Sequence, residues 1–503
     1  MNVNRNTSSI NEINSVNQPV TKNISSSITI DLTKKTSSSL STDQKNSITT
    51  AIKNRLNEGK KGLQRLLARE CVIPSQKLRL NFDHAVQLDK FLKTPSTTDK
   101  DLRATKLTFD MGEHKIDGIA IHGNAEAQEA FQEGNLEDHR FIYMLNPNAQ
   151  LYEDRLSIGQ ELLEKVKQEA KDKGEDPNKI HLIMFNYRGA GASKGQITTL
   201  QDPIDDFQQM FQHFAEKGVK PEHTAIYGHS IGGLIGGHVA ALNKKVSLVT
   251  TGTISSLPAA AKEFTPKLAT ELGKENRILK IFNNRLSGNI AKRVFKKLGF
   301  TQSNLSNVND IANAGGKVTV IHHEFDKLVQ KSALSSKVDK KQKNFEINGE
   351  IKVITSNQKA TEVVKINTLI SYCVGFKEHI EQPQRDLIIK DLSSAKNLEE
   401  FQTKFSKYEK FIYDRAKLKL IFNDKSSFKT DLSNDTQFID FINNETSKVN
   451  KMAGKEMLKP ISAEYLETEA EKLDYHNLEI NKQTEIFENV VKSTAAAIFP
   501  PKA

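Results

Sequence analysis

The stretch AIYGHSIGGLIGG, residues 225–237, decides how the rest of the chain is interpreted. Its first residues are apolar and typical of a buried strand, whereas five glycines surround Ser230, where a helix should begin. Glycine inside a helix or strand costs roughly 0.5–1 kcal/mol relative to alanine. The glycines therefore indicate a turn that needs close backbone contacts, or a dihedral angle that other residues resist.

The five residues GHSIG (228–232) form a G-x-S-x-G pattern between this strand and this helix. In that position the pattern is typical of a nucleophile elbow, a tight turn that exposes the serine Oγ. Gly228 and Gly232 would leave room for approaching backbones, and three further glycines would let the helix press against neighbouring strands: Gly233, Gly236 and Gly237. The alternative is a tight strand–helix crossing with an incidental serine.

Short apolar segments alternate with longer amphipathic segments through the middle of the chain. A β-hairpin is indicated at 105–123, and strands are indicated at 141–145, 181–187, 223–228, 246–251, 318–323 and 351–356. Helical patterns lie between them at 154–173 and 203–217. Apolar strands that alternate with helices predict an α/β fold, in which a mostly parallel sheet has helices on both faces.

Composition divides the chain into five regions. We expect a disordered tail rich in Asn, Ser and Thr, because such a segment cannot bury enough apolar surface to fold. A helical region, an α/β core with a lid-like insert, a larger helical insert and a C-terminal part of the core would follow. The boundaries are 1–46, 47–104, 105–356 with the lid at 254–312, 357–470, and 471–503.

Three motifs together resemble the α/β-hydrolase superfamily, in its lipase- and esterase-like serine hydrolases. They are YGHSIGG (227–233), NYRGAGASKG (186–195), and the strand FIYML followed by NPNAQLYED (146–154). The last motif, with its Tyr-Glu-Asp ending, is similar to the chlamydial CHLPS-type and Legionella SidB-type effector group. The resemblance implies an α/β-hydrolase fold that covers about 105–356 and the last few dozen residues.

The resemblance also implies a catalytic triad in the chain order Ser, Asp or Glu, His. Ser230 would be the nucleophile. Asp326 would be the acid, because it follows the strand VTVIHH and its DKLV context resembles the D-x-x-V of the family. Glu324 is the nearest rival, and an aspartate that merely caps the helix near Ser332 is the alternative reading.

The histidine of the triad has two candidates, because only His379 and His476 occur beyond Asp326. His379 lies within a helical pattern, where an exposed surface histidine is the simpler reading. His476 lies in a loop-like segment, and a closing helix at 484–499 follows it. The position before the closing helix favours His476 as the base and leaves His379 as the alternative.

An oxyanion hole in this superfamily uses the amide after the nucleophile and a second amide after the preceding strand. The first would be that of Ile231. Pro147 has no N–H, so Asn148 is the candidate for the second. Arg188 would stabilise its loop or a substrate anion, or form a structural salt bridge.

Charge and cysteine content limit the partners. The net charge is +10, but basic residues are interleaved with 62 acidic residues and no nucleic-acid motif is present, so we expect no nucleic acid. Cys71 and Cys373 form no metal quartet, and no HExxH or P-loop pattern occurs, which predicts no metal and no cofactor. No apolar run is long enough to span a bilayer.

The sequence therefore predicts a serine hydrolase that cleaves an ester or thioester, with a lipid or phospholipid as the suggested substrate. The basic segment 277–300 would rest on an anionic membrane surface or pack as a solvated lid helix. A non-catalytic host-interaction protein on a hydrolase scaffold is the alternative function, and peptidase activity has no distinguishing residues. The start MNVNRNTSSI lacks the apolar part of a signal peptide. We expect a cytoplasmic protein or, if the effector resemblance holds, export into a host cell without a cleaved signal.

Overall fold

A computed structural model describes the parts of the chain that carry the fold. The chain divides into two units, residues 1–58 and residues 59–503, and every helix and strand named below lies in the second. The described residues are 57–62, 64–65, 72–73, 76, 78–96, 98–148, 150–263, 285–324, 326, 328–329, 332–342, 350–356, 361, 364–365, 368, 391–392, 400, 403–404, 407, 434–453, 460–472 and 484–499.

Eight strands form one sheet in the order β1-β2-β4-β3-β5-β6-β7-β8. Only β2 runs against the others, since it pairs antiparallel with both β1 and β4 while the remaining pairs are parallel. The strands are β1 Arg103–Asp110, β2 Lys115–His122, β3 Arg140–Leu145, β4 Ile180–Phe185, β5 Thr224–His229, β6 Ser247–Thr251, β7 Val318–His323 and β8 Ile351–Ser356.

Eleven named helices of the described chain accompany this sheet. They are α1 Phe82–Lys93, α2 Ala125–Glu133, α3 Leu156–Asp172, α4 Gln201–Glu216, α5 Ile231–Leu242, α6 Arg285–Lys297, α7 Asn304–Asn313, α8 Ser335–Gln342, α9 Asp435–Ala453, α10 Ala463–Lys472 and α11 Glu485–Ile498. Among the described residues, none of the helices combines the length and the apolarity that a membrane crossing requires.

The helices pack on both faces of the sheet, as the near-continuous apolar strands predicted. Alternate residues of β3 show this: Phe141 and Tyr143 belong to one hydrophobic core, whereas Ile142 and Met144 belong to the other. The first core includes apolar residues of α4, α5 and α7, and the second those of α1, α3 and α11. The α/β fold with a mostly parallel sheet is therefore confirmed.

The predicted hairpin and strands are all present, with one shift at the end of β4. The sequence predicted a strand to residue 187, but β4 ends at Phe185. Beyond it the chain turns at Gly189 and Gly191, which have φ angles of 71° and 56°. Residues 186–187 consequently begin the glycine-rich loop, and their side chains are available to the neighbouring loop after β3.

The lid-like insert and the larger helical insert remain predictions, because only parts of each lie among the described residues. The lid-like region 254–312 contains helical residues 257–263, α6 and all but the last residue of α7, and the region 357–470 contains α9 and most of α10. The predicted tail 1–46 lies outside the described residues. So do residues 47–56, the start of the predicted N-terminal helical region.

The closing helix predicted at 484–499 is present as α11. Thr484 caps it, because its side-chain oxygen accepts a hydrogen bond from the Phe487 N–H at 3.3 Å. Ser356 Oγ at the end of β8 donates to Glu485 Oε2 at 2.7 Å. The start of α11 is therefore fixed at the carboxyl edge of the sheet.

Three buried histidines form a hydrogen-bonded chain at the opposite edge of the sheet. Nδ1 of His122 lies 2.8 Å from Nδ1 of His181, whose Nε2 lies 2.7 Å from Nδ1 of His139. Thr105 Oγ1 contacts Nε2 of His122 at 2.9 Å. Each neutral imidazole has one N–H, so three neutral rings can satisfy the whole chain. Burial lowers the pKa of all three, that of His122 to about 3.

We expect this chain of histidines to make the protein acid-sensitive. The unfolded state takes up these protons near pH 6.5 and the folded state does so only at lower pH, so the unfolded state binds more protons between these values. The free energy of unfolding should fall as the pH is lowered from 7 towards 4. Below the unfolded-state pKa near 6.5, each histidine that stays neutral in the folded state should contribute up to about 1.4 kcal/mol per pH unit. Urea unfolding at pH 7, 6 and 5 measures the slope.

His122→Gln should reduce this slope by up to about 1.4 kcal/mol per pH unit between pH 6 and pH 5, because it removes one buried titrating group. His213→Gln on the exposed side of α4 is the control. Partial burial and Lys217 also lower the pKa of His213, but its side chain is exposed, so this substitution should change the slope by less than His122→Gln does. A slope in His122→Gln equal to that of the wild type would contradict the interpretation, whatever the absolute stability of the variant.

Candidate active site

Ser230 lies between β5 and α5 in a backbone conformation that side chains other than glycine rarely adopt. Its φ is 53° and its ψ is −117°, and such a positive φ costs a non-glycine residue of the order of 1–3 kcal/mol. The Ser230 N–H donates to Thr251 O of the next strand at 2.9 Å, which holds the turn against β6. This is the strained strand-to-helix turn that the sequence predicted.

The glycines around Ser230 permit close contacts that a Cβ atom would prevent. A Cβ on Gly228 would lie 2.5 Å from the backbone of Gly232 and Gly233, and one on Gly232 would lie 2.7 Å from Asn146 O. Along the helix, Gly236 packs against Ile226 of β5 as expected. The other two glycines were expected to pack against strands, but their nearest neighbours lie elsewhere. Gly233 packs against Thr253, which follows β6, and Gly237 packs against Asn304 of α7.

Asp326 follows β7 at the same edge of the sheet, and only 1 % of it is exposed. Its Oδ1 accepts hydrogen bonds from the N–H groups of Leu328 at 2.8 Å and Val329 at 3.2 Å. These donors lie in a turn well before α8, so Asp326 does not cap that helix. The rival Glu324 is exposed.

The two predicted oxyanion donors lie on the two sides of the serine turn. Ile231 is the first residue of α5, so its N–H has no acceptor within the helix and a helix N-terminus favours negative charge. Asn148 is half-buried in the loop after β3. The part of this loop that touches α5 is Asn146, whose carbonyl lies against Gly232.

Arg188 forms a structural ion pair. Its Nε and Nη2 donate to the carboxylate of the buried Asp206 at 2.6 and 2.8 Å, a bidentate geometry, and Asp202 lies 3.5 Å from Nη1. Hydrogen bonding and attraction to these carboxylates outweigh burial and raise the pKa of Arg188. The guanidinium thus ties the glycine-rich loop to α4.

Both candidate bases, His476 and His379, lie outside the described residues. The described chain resumes at Thr484, eight positions after His476, beside the end of β8. His323, which precedes Asp326, is buried, and His322 is half-buried on the opposite face of β7. Among the described residues, no group of three or more His, Cys, Asp or Glu side chains is arranged to hold a metal ion.

Asn186 and Glu153 lie within two of the sequence motifs described above, but the sequence alone predicted no role for either residue. In the structure the Asn186 Nδ2 donates to Glu153 Oε2 at 2.9 Å, and both side chains are buried next to the loop after β3. A polar residue directly after a buried strand, paired with an acidic residue after the neighbouring strand, is the signal that could have revealed this contact.

Comparison with known proteins gives one family match and several structures of low similarity. Residues 176–313, from just before β4 to the end of α7, match the family described as serine aminopeptidase, S33. An esterase from Pyrococcus furiosus is similar in structure, at 14% identity over 51% of this chain and 83% of that chain, with a TM-score of 0.36. An α/β hydrolase from Vibrio vulnificus is similar at 17% identity over 58% and 86%, with a TM-score of 0.39. No curated protein matches the chain in sequence.

The sheet order and the serine turn between β5 and α5 are those of an α/β-hydrolase fold, and the family match over residues 176–313 supports that superfamily for this part of the chain. A hydrolytic function is supported at that level. The resemblance to the chlamydial and Legionella effector group stays a prediction.

Gly232→Ala tests whether the close contact at the serine turn is required. The added Cβ would lie 2.7 Å from Asn146 O and 2.8 Å from Leu145 O, and backbone atoms cannot move aside as flexible side chains do. We expect a loss of about 1–3 kcal/mol in the free energy of unfolding, measured by urea denaturation.

Gly62→Ala is the matched control, since no atom lies within 4 Å of a Cβ at that helical position. This substitution should be neutral or stabilise the chain by up to about 1 kcal/mol. Equal stability of Gly232→Ala and the wild type would show that α5 does not approach the end of β3 as closely as described.

Proposed function

We propose that this protein is a serine hydrolase that cleaves an ester or thioester through an acyl-enzyme intermediate. The observation that carries the proposal is the strained backbone of Ser230, which persists at the start of a helix inside a G-x-S-x-G motif. Strain of this kind needs support from the surrounding structure and is concentrated at functional sites. A serine without a chemical role would gain nothing from it.

In the proposed mechanism, Ser230 Oγ attacks the carbonyl carbon while His476 takes the hydroxyl proton. The imidazolium then gives the proton to the leaving group, and water repeats the sequence to release the acid. Asp326 orients the imidazole and stabilises its positive charge. The Leu328 and Val329 N–H groups donate to Oδ1 of Asp326 and so fix the direction of its carboxylate.

The order of the strands supports this arrangement. β6 lies between β5 and β7 in the sheet. The carboxyl end of β5, which precedes Ser230, and that of β7, which precedes Asp326, are therefore two strand spacings apart, or about 10 Å. An imidazole with one hydrogen bond on each side fits such a gap. Ligands of open α/β sheets bind at this carboxyl edge.

The position of α11 favours His476 as the base over His379. Ser356 Oγ fixes Glu485 at the end of β8, the strand next to β7. Eight residues can span at most about 29 Å, which is enough for His476 to reach Asp326 from Thr484. The oxyanion would be bound by the amides of Ile231 and Asn148.

Covalent labelling by a fluorophosphonate probe tests the proposal. Ser230→Ala should abolish labelling, and His476→Ala should lower its rate by about 10³-fold or more, because the serine loses its base. His379→Ala should leave the rate within about twofold of the wild type if His379 is remote from the site.

The outcomes separate the two candidate histidines and the two candidate functions. Slow labelling in His379→Ala but not in His476→Ala would transfer the role of base to His379. Folded wild-type protein that the probe does not label at all would refute the hydrolase. The non-catalytic interaction protein would then be the better explanation.

We further propose a lipid or phospholipid ester as substrate, presented at an anionic membrane surface by α6. Ile290 and Val294 are 45% and 37% exposed and lie one helical turn apart. Arg293, Lys296 and Lys297 are exposed on the same helix. A helix with exposed apolar and cationic residues can lie in a lipid interface. α6 lies against residues 257–263, since a Cβ on Gly288 would be 2.5 Å from Lys262 O.

Co-sedimentation with vesicles tests this surface. The wild type should bind vesicles of phosphatidylcholine and phosphatidylserine more tightly than vesicles of phosphatidylcholine alone. Lys296→Gln with Lys297→Gln should weaken the binding about 30-fold, since each cation contributes about 1 kcal/mol at such a surface. Lys171→Gln with Lys173→Gln, exposed at the end of α3, is the control. Equal loss in both pairs would indicate non-specific attraction.

A further inference from the structure

The loop 146–151 after β3 carries the proposed second oxyanion donor, so its position relative to Ser230 matters for catalysis. One end of the loop is Asn146, whose carbonyl lies against Gly232 in the first turn of α5. The other end enters a 3₁₀ helix, Tyr152–Arg155. A displacement of about 1 Å at such a loop can cost 10²-fold in rate.

A single side chain, Asn186, holds both ends of this loop. Its Oδ1 accepts from the Tyr152 N–H at 2.9 Å and from Asn146 Nδ2 at 3.4 Å. Asn146 Nδ2 also donates to Phe185 O at 2.9 Å. Asn186 is fully buried and follows β4, the strand next to β3. The side chain therefore links the loop after one strand to the end of its neighbour.

The orientation of the Asn186 amide is fixed by its partners. The Tyr152 N–H can only donate, so the atom that faces it must be the amide oxygen. Nδ2 then points to Glu153 Oε2. Gly191 leaves room for this group, because a Cβ there would lie 2.5 Å from Nδ2.

The burial of the Glu153 carboxyl group is unfavourable for the stability of the fold. It is 2% exposed, and burial raises the pKa of its carboxyl. Among the described residues Oε2 accepts from Asn186, whereas Oε1 has no hydrogen-bond partner. Burial of an incompletely paired carboxyl group is unfavourable. Its retention beside the oxyanion loop calls for a role that a neutral apolar residue would not fulfil.

The adjoining residue is anchored in the same way. Tyr152 OH donates to Asp117 Oδ2 at 3.1 Å, and Lys106 Nζ forms an ion pair with Asp117 at 2.7 Å. The 3₁₀ helix is thus held from β2 and from β4. The Glu153–Asn186 contact is the part of this network that reaches back to the start of the loop.

We propose that Asn186 and Glu153 are positioning residues, which hold the loop 146–151 so that its amide and that of Ile231 face the same oxyanion. The proposal rests on the serine hydrolase function proposed above. Neither side chain touches the reacting atoms. Glu153 fixes the direction of the Asn186 amide, and the amide oxygen fixes the loop.

A swap of donor and acceptor tests the pair. In Asn186→Asp two carboxyl groups face each other, whereas in Glu153→Gln the new amide can still accept from Asn186 Nδ2 through its own oxygen. Asn186→Asp should therefore displace the loop and lower kcat for p-nitrophenyl butyrate about 10–100-fold, with KM changed less than threefold. Glu153→Gln alone should lower kcat by less than Asn186→Asp does. The double variant Asn186→Asp with Glu153→Gln restores one donor, one acceptor and the original charge, so kcat should return to within about threefold of the wild type.

The swap is informative because a merely destabilising change would not be rescued. Two independent losses would multiply in the double variant, whereas a directional contact gives strong coupling. Asn443→Asp is the matched control. Asn443 also bridges backbone groups, since its Nδ2 donates to Ile461 O and its Oδ1 accepts from the Ile461 N–H, but it lies on α9. Its substitution should leave kcat unchanged.

Amide hydrogen exchange provides a readout that does not depend on activity. Peptides that cover 146–155 should exchange faster in Asn186→Asp than in the wild type, and the double variant should restore their protection. Restored protection with no esterase activity in any variant, including the wild type, would refute the hydrolase but keep the pair. Losses that multiply in the double variant, or unchanged exchange in Asn186→Asp, would overturn the positioning role.

Discussion

The rest of the site depends on the close approach of α5 to the end of β3. Gly232 lies directly on the carbonyls of Leu145 and Asn146, at a distance that leaves no space for a Cβ atom. This contact places the N-terminus of the helix beside the loop that follows β3. It also supports the positive φ of Ser230, because a turn held on both sides can retain a conformation that an isolated chain would leave.

The carboxyl edge of the sheet collects the remaining polar residues. Ser230 follows β5, Asp326 follows β7, and Asn186 follows β4, so sheet order converts distant sequence positions into neighbours. Backbone bonds between loops reinforce this arrangement: Leu334 N donates to Thr253 O, and Gly191 N donates to Leu78 O. The opposite edge of the sheet holds the three buried histidines, whose lowered pKa values predict a loss of stability in acid.

Much of the fold could be predicted from local patterns, since apolar strands and amphipathic helices carry their own periodicity. Every strand from β3 to β8 begins within one residue of its prediction. The end of β4 at Phe185 was less predictable, because the next residue, Asn186, forms its side-chain hydrogen bonds with the loop after β3. The contact of Gly237 with α7, likewise, could not be read from a glycine alone. The candidate base lies outside the described residues, so the choice of His476 still rests on sequence order.

The sequence by itself determined the fold class and the serine turn, because glycine spacing and strand periodicity are local properties of the chain. Tertiary structure alone decided which polar residues meet. Asn186 and Glu153 are 33 positions apart, and only the adjacency of β3 and β4 brings them into contact. The same holds for Arg188, whose ion pair with Asp206 depends on the packing of α4 against the sheet. Such contacts are set by strand order and side-chain direction, and no local pattern records either.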